Sequence, residues 1–265
     1  MSPARPLLGL VSIILIAGGV LLTLLTLLGG GIDKSPTNKF YFLQASTSPI
    51  PGAAATTRWT FWNACSVVDG KNSCPKVHAA YPLDPPRNFG TEEGVPQQFV
   101  GTHQYYYLTR FMFAFVLIGL FFGAISLILG LLALCSKIVS FLDSALVSVA
   151  LFFQTLTAAL MTAAYVKGRN NFHSANLSAS LGKYNFGFMW ATVACYFLAT
   201  VLFCAGGAAS GRSGKGSRGG GRRGRMGRFG RKKSSRSTRD RGSFINKETA
   251  VDGERSSFER GGRDV

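Results

Sequence analysis

Four uncharged apolar runs, at 7–28, about 111–134, 144–166 and 186–209, constrain this chain more than any other feature. Each has the roughly 20 apolar residues needed to cross a ~30 Å hydrocarbon core. The net charge is +17 and the mean hydropathy is nevertheless positive. The two coexist because they are segregated: the segment from Ser210 onward holds 17 of the 29 Lys and Arg. That partition excludes a basic soluble domain and indicates an integral membrane protein with a basic tail.

The first run follows Arg5, as in a signal peptide. It is longer than a signal h-region and ends in Gly29-Gly30-Gly31 without an A-x-A site, so a retained anchor is expected. The expected organisation is a cytoplasmic N-terminus and first span (1–28), an extracellular loop domain (29–110), a second span (111–134), a short cytoplasmic loop (135–143), a third span (144–166), a second extracellular loop (167–185), a fourth span (186–209) and a disordered basic cytoplasmic tail (210–265). The connection around Cys135-Ser136-Lys137 is short enough to make the second and third spans antiparallel neighbours. Arg5, Lys137 and the tail fall on one side, which puts both termini in the cytoplasm.

Within the large loop, Asp69-Gly70 signals a two-residue primed hairpin turn. If those residues form the turn, Val68 faces Lys71, Val67 faces Asn72, Ser66 faces Ser73 and Cys65 faces Cys74. The cysteines then occupy a non-hydrogen-bonded pair, with Cα atoms about 4.5 Å apart, which a disulfide can span. Eight prolines between 36 and 96 rule out long helices across most of the loop. Lys39 to Leu43 and Thr57 to Val68 read as strands, the second continuous, with Thr60, Trp62 and Ala64 on one face and Trp59, Phe61 and Cys65 on the other. A domain of three or four such strands is too small to rely on its core alone, so the disulfide matters.

The spans carry little chemistry. Gly119 and Gly123 form a G-x-x-x-G expected to serve packing inside the bundle ahead of dimerisation, and mid-span Gln154 suits an interhelical hydrogen bond more than the lining of a path. No Asp, Glu, Lys or Arg lies at the centre of a run, which argues against an ion-coupled transporter. His78, His103 and His173 lack metal-ligand spacing, and no nucleophile, carboxylate pair or phosphate loop is evident. The expectation is a protein that is not an enzyme, without metal or cofactor. Cys135 and Cys204, near the cytoplasmic ends of spans, are palmitoylation candidates, and Asn176-Leu177-Ser178 is a glycosylation sequon.

The tail contains Arg218-Gly219-Gly220, an RGG-like unit, yet a basic cluster just inside a span meets anionic inner-leaflet lipid first. Arg222, Arg223, Arg225, Arg228, Arg231, Lys232 and Lys233 are the expected lipid contacts, and nucleic acid is not an expected partner. Ser234 and Ser235 follow a basic run that suits a basophilic kinase, and phosphate there would weaken the attraction.

Arg58-Trp59-Thr60, Cys65, Cys74, Ala80-Tyr81-Pro82, Pro85 and Asn88-Phe89 together resemble the first extracellular loop of the fungal Sur-seven/PalI family. More distantly, Trp62-x-x-Cys65 followed by Cys74 is similar to the claudin signature. The glycine-leucine that precedes the claudin tryptophan is replaced here by Thr60-Phe61, so a paracellular pore role does not carry over. The resemblance implies a multi-pass plasma-membrane protein of fungal eisosome-associated furrows, linked to membrane organisation, cell-wall integrity and stress response. It marks Arg58, Trp59, Thr60, Trp62, Tyr81, Pro82, Asn88 and Phe89 as motif residues.

The expected fold is therefore a four-transmembrane-helix bundle, all-α in the membrane, with a small disulfide-clasped extracellular β domain. The expected function is a non-enzymatic tetraspan scaffold whose partners are membrane lipids, other copies of itself or eisosome components, and the cell wall. Alternatives are a PalI-like subunit of ambient-pH sensing and a small-molecule channel.

Overall fold

The computed structural model describes residues 4–32, 34–74, 76–133 and 136–212. In chain order the elements are α1 (Ala4–Leu28), β1 (Leu43–Ser46), β2 (Thr56–Trp59), β3 (Ala64–Val68), β4 (Lys71–Ser73), a short α2 (Pro85–Phe89), α3 (Gln104–Ala133), α4 (Lys137–Ser174), β5 (Ala179–Leu181) and α5 (Lys183–Arg212). Single 3-10 turns lie at Thr37–Lys39 and Gln97–Phe99.

Helices α1, α3, α4 and α5 are long and apolar enough to cross a membrane. Helix α1 packs on α3 and α5, and α4 packs on the same two, closing a four-membered bundle. At 1.5 Å per residue, the 38 residues of α4 extend about 57 Å, well beyond a ~30 Å hydrocarbon core. Both α3 and α4 outrun their apolar stretches: α3 begins at Gln104 instead of near 111, and α4 runs on to Ser174 instead of stopping near 166. The overhanging turns bury Tyr105 and Phe172 in the core that also holds the sheet.

The sheet is antiparallel in the order β4-β3-β2-β1-β5. Leu43 and Trp59 of the sheet, with Phe42 just before β1 and Phe61 in the turn after β2, share one core with Tyr105, Met112, Tyr165, Phe172 and Met189 of the helices. Phe42 stacks on Tyr165 with centroids 5.0 Å apart, and its other neighbour, Phe61, meets it edge-on at 4.6 Å. The sheet is thus seated on the bundle end where α1 and α4 finish and α3 and α5 begin.

The β3–β4 hairpin has the register read from its turn: Ser66 opposite Ser73, Val67 opposite Asn72 and Val68 opposite Lys71. Asp69 and Gly70 both have positive φ, as a primed turn requires. Cys65 and Cys74 are disulfide-bonded with Cα atoms 4.5 Å apart.

Three local expectations are corrected. The segment 57–68 is not one strand: β2 stops at Trp59 and β3 starts at Ala64, so the two-faced alternation proposed across Thr60, Phe61 and Trp62 does not exist. Thr60 causes the break, because its Oγ1 accepts the amides of Trp62 at 3.2 Å and Asn63 at 3.1 Å, closing a side-chain-capped turn. Lys39 to Leu43 is likewise not a strand. Lys39 ends a 3-10 turn, and β1 starts only at Leu43, where Trp59 lies opposite. Asp143, placed in the short loop, lies inside α4, fully buried and accepting a hydrogen bond from Ser126.

Gly119, Gly123 and Gly130 all face inward on α3, against Gln154, Tyr196 and Asp143 respectively. Gln154 is buried and its amide points at Met189 Sδ, 3.4 Å away. The G-x-x-x-G therefore admits side chains of this same bundle.

Candidate functional site

The motif residues of the large loop converge where the sheet joins the bundle, and each anchors a different neighbour. Arg58 on β2 is a buried cation. Its Nε donates to Gln44 Oε1 at 2.8 Å, and its Nη1 to the Gly70 carbonyl at 2.9 Å and Asn72 Oδ1 at 3.1 Å. The guanidinium also lies 4.4 Å from the Tyr41 ring centroid. Every protein acceptor is neutral. Burial accordingly pulls the Arg58 pKa below its ordinary value, with Tyr41 opposing. One side chain thus ties β1, β2, β4 and the hairpin turn together.

Trp59 is fully buried, against Phe89 at 6.3 Å and Phe172 at 5.7 Å. Its Nε1 donates to Asn88 Oδ1 at 2.8 Å, which joins β2 to α2. The same oxygen accepts the Asp84 amide at 3.3 Å. Trp62, carried on the Thr60 turn, leaves the sheet altogether. Its Nε1 donates to the Leu27 carbonyl, one of the free acceptors at the end of α1, and its ring meets Phe113 of α3 at 5.6 Å.

The segment after the disulfide lies along that turn, with the His78 amide on the Trp62 carbonyl and the Tyr81 amide on the Phe61 carbonyl, both at 2.9 Å. Burial pushes the Tyr81 hydroxyl above its ordinary pKa, with Asn88 opposing. Tyr81 and Pro82 are half-buried, and they lead into fully buried Leu83, whose amide donates to Thr109 of α3 at 3.2 Å.

The arrangement is a platform with its polar groups turned inward. Most of the motif's donors and acceptors are consumed within the protein. A shallow hollow of about 180 Å³, lined almost entirely by apolar atoms of Leu27, Leu28, Gly31, Ile32, Trp62 and Val77, lies beside it. Among the described residues no three His, Cys, Asp or Glu side chains cluster as metal ligands.

The other sequence-derived sites lie apart from the platform. Asn176 is exposed and adopts a positive φ between α4 and β5. Cys204 is exposed near the far end of α5, 3.8 Å from Ser144 Oγ. Cys135, Arg222, Arg223, Arg225, Arg228, Arg231, Lys232, Lys233, Ser234 and Ser235 lie outside the described residues. Sequence reasoning missed Gln44 and Asn72 as partners of Arg58. A hairpin turning at Asp69-Gly70 sets Asn72 opposite Val67, but only the β2–β3 register, with Arg58 opposite Cys65, brings it to Arg58. Asn72 also donates to the Phe40 carbonyl at 2.9 Å.

A family model described as the SUR7/PalI family matches residues 8–202, which include the whole platform, all of α3 and α4 and most of α1 and α5. This chain belongs to the SUR7/PalI family. Protein SUR7 of Saccharomyces cerevisiae is 42% identical over 187 residues, covering 69% of this chain and 62% of that protein. Protein SUR7 of Candida albicans is 39% identical over 193 residues, covering 72% and 71%. Uncharacterized plasma membrane protein YNL194C of Saccharomyces cerevisiae is 37% identical over 188 residues, covering 69% and 62%. The matched part of the chain thus spans about three fifths of the two Saccharomyces relatives. The SUR7/PalI match stops at 202, so the basic tail lies outside it.

Proposed function

We propose that this SUR7/PalI protein is a non-enzymatic tetraspan scaffold of plasma-membrane domains, associated with eisosomes and supporting cell-wall integrity and stress response. The sheet faces the wall, where it contacts the wall or other copies of the chain. Both termini lie in the cytoplasm, and the basic tail holds anionic inner-leaflet lipid.

One observation carries this reading: the motif residues are spent on making the platform rigid. Together Arg58, Trp59 and Trp62 engage strands β1, β2 and β4 and helices α1, α2, α3 and α4; both indole N–H groups and the Arg58 Nε and Nη1 are bonded within the protein, and only the Trp62 ring borders the shallow hollow. A catalytic site keeps reactive groups accessible to substrate, whereas a contact surface needs a fixed shape. The charge segregation supports the tail assignment, since about 1 kcal/mol is gained per basic residue near an anionic surface.

Live-cell imaging of a fluorescently tagged full-length chain in a yeast tests the reading. The expected result is stable cortical patches, unchanged between acidic and alkaline medium. A uniform rim contradicts the scaffold, and recruitment of signalling proteins only at alkaline pH favours the ambient-pH sensing subunit in its place.

A further inference from the structure

Two arginines converge on one tyrosine ring at the mouth of α3. Arg87 of α2 and Arg110 of α3 place their guanidinium carbons 4.6 Å and 4.5 Å from the Tyr106 ring centroid. The two cations are therefore at most about 9 Å apart. Arg87 is half-exposed and forms an ion pair with Asp84 at 3.0 Å, while its Nη2 lies 3.0 Å from His103 Nδ1. Arg110 is exposed and pairs with no carboxylate among the described residues. Counting Asp84 against Arg87 leaves the cluster with one uncompensated positive charge.

The cluster's place in the bundle decides what that charge meets. Arg110 immediately precedes the apolar stretch of α3, so it stands at the border between headgroups and hydrocarbon on the sheet side. Leu117 and Phe121 follow it at i+7 and i+11, on the same helix face. Both are exposed, at 42% and 61%, and so face lipid along the same stripe. A cationic, aromatic-backed head above a strip of apolar side chains fits an amphiphile. A soluble anion would use the head and leave the strip idle.

We propose that this cluster binds the phosphodiester of a membrane glycerophospholipid in the leaflet on the sheet side. Arg110 and the free edge of Arg87 donate to the phosphate oxygens. Tyr106 holds both guanidinium groups in place by cation–π contact, which reduces the entropy lost on binding. An acyl chain lies along Leu117 and Phe121. The single net charge of the cluster matches the single charge of a phosphodiester, and the charge-assisted bonds are stronger at the poorly hydrated border than in water. This lipid site is separate from the inner-leaflet contact proposed for the tail.

The test uses the full-length chain purified in mild detergent and titrated with phosphatidylglycerol, bound lipid being counted by native mass spectrometry. Arg110→Gln together with Arg87→Gln should weaken the highest-affinity lipid adduct by about tenfold, equivalent to the loss of about 1.4 kcal/mol. Arg110→Lys alone should retain most of the binding. Inorganic phosphate should fail to compete, and Phe121→Ser should weaken the adduct with the arginines intact. Competition by phosphate with no effect of Phe121→Ser would show a free-anion site and overturn the proposal. Unchanged lipid binding in the double variant, with its disulfide and helical circular dichroism intact, would overturn it too. If that variant does not fold, a photoreactive phospholipid on the native chain decides: labelling between 106 and 121 supports the site, and labelling elsewhere rejects it.

Discussion

The indole N–H of fully buried Trp59 donates to the side-chain carbonyl of half-buried Asn88, 29 residues further on, at 2.8 Å. A buried donor stripped of its acceptor loses about 1–3 kcal/mol. Asn88→Ala should destabilise the sheet end by that amount, whereas Trp59→Phe with Asn88→Ala should recover part of the loss, because both polar partners are then gone. Thermal unfolding of the four members of the cycle in detergent measures the coupling. Additive losses would show that the pair does not act as a unit.

Arg58 tests the strand tie. Replacing it by lysine keeps the charge but not the fork that reaches Gln44, Gly70 and Asn72 together. Arg58→Lys should cost about 1–3 kcal/mol. The hairpin amides of 69–72 should exchange hydrogen faster, while α4 amides near Gln154 stay protected. Equal acceleration in both places would mean that Arg58 supports the whole bundle.

Gly30 follows α1 with φ +83°, and a side chain there would run into Thr60. Gly30→Ala combines left-handed strain with overlap and should cost on the order of 2 kcal/mol or more. Gly52→Ala also has positive φ but open space around it, so it should show the strain alone. The difference between the two variants in thermal midpoint reads the Thr60 contact.

Much of this was legible from residue order and some was not. The hairpin was legible because two local signals, the Asp69-Gly70 turn and the cysteine spacing, specify the same register. The four long helices were legible from apolar length. The break at Thr60 was hidden because aromatic and β-branched side chains dominate Thr57 to Val68 on both sides of it. The chain turns there only because Thr60 Oγ1 captures two amides. Strand β5 was read as loop, since Ala179-Ser180-Leu181 is short and gains its strand character from the edge of β1, over 130 residues earlier. Asp143 was excluded from the third span because a charge ordinarily marks a span's end. Its partner Ser126 is on another helix, and a pattern within α4 cannot show it.

Asp84 gives the sheet end a pH dependence. Burial raises its pKa above the ordinary carboxylate value, and the nearby Arg87 opposes this. A carboxyl whose folded pKa is raised binds its proton more tightly when folded, so its contribution to stability is present at low pH. It is lost as pH rises from the unfolded pKa through the folded one. Asp84→Asn should remove that slope, giving a thermal midpoint that changes less between pH 4 and neutrality, on the order of one carboxyl's titration. A steeper slope in the variant would reverse the assigned sign.

On the proposed reading, the motif-built sheet is what assembles the scaffold. Fluorescence recovery after photobleaching of the tagged chain at the cell surface tests it, comparing the native protein with a Cys65→Ser, Cys74→Ser variant whose outer domain is weakened by about 2–5 kcal/mol. The native chain should stay in patches with little recovery. Variant molecules that reach the surface should disperse and recover freely, although their four spans and tail are unchanged. Immobile patches formed equally by the variant, with the two serines verified and the sheet amides exchanging freely, would contradict the account.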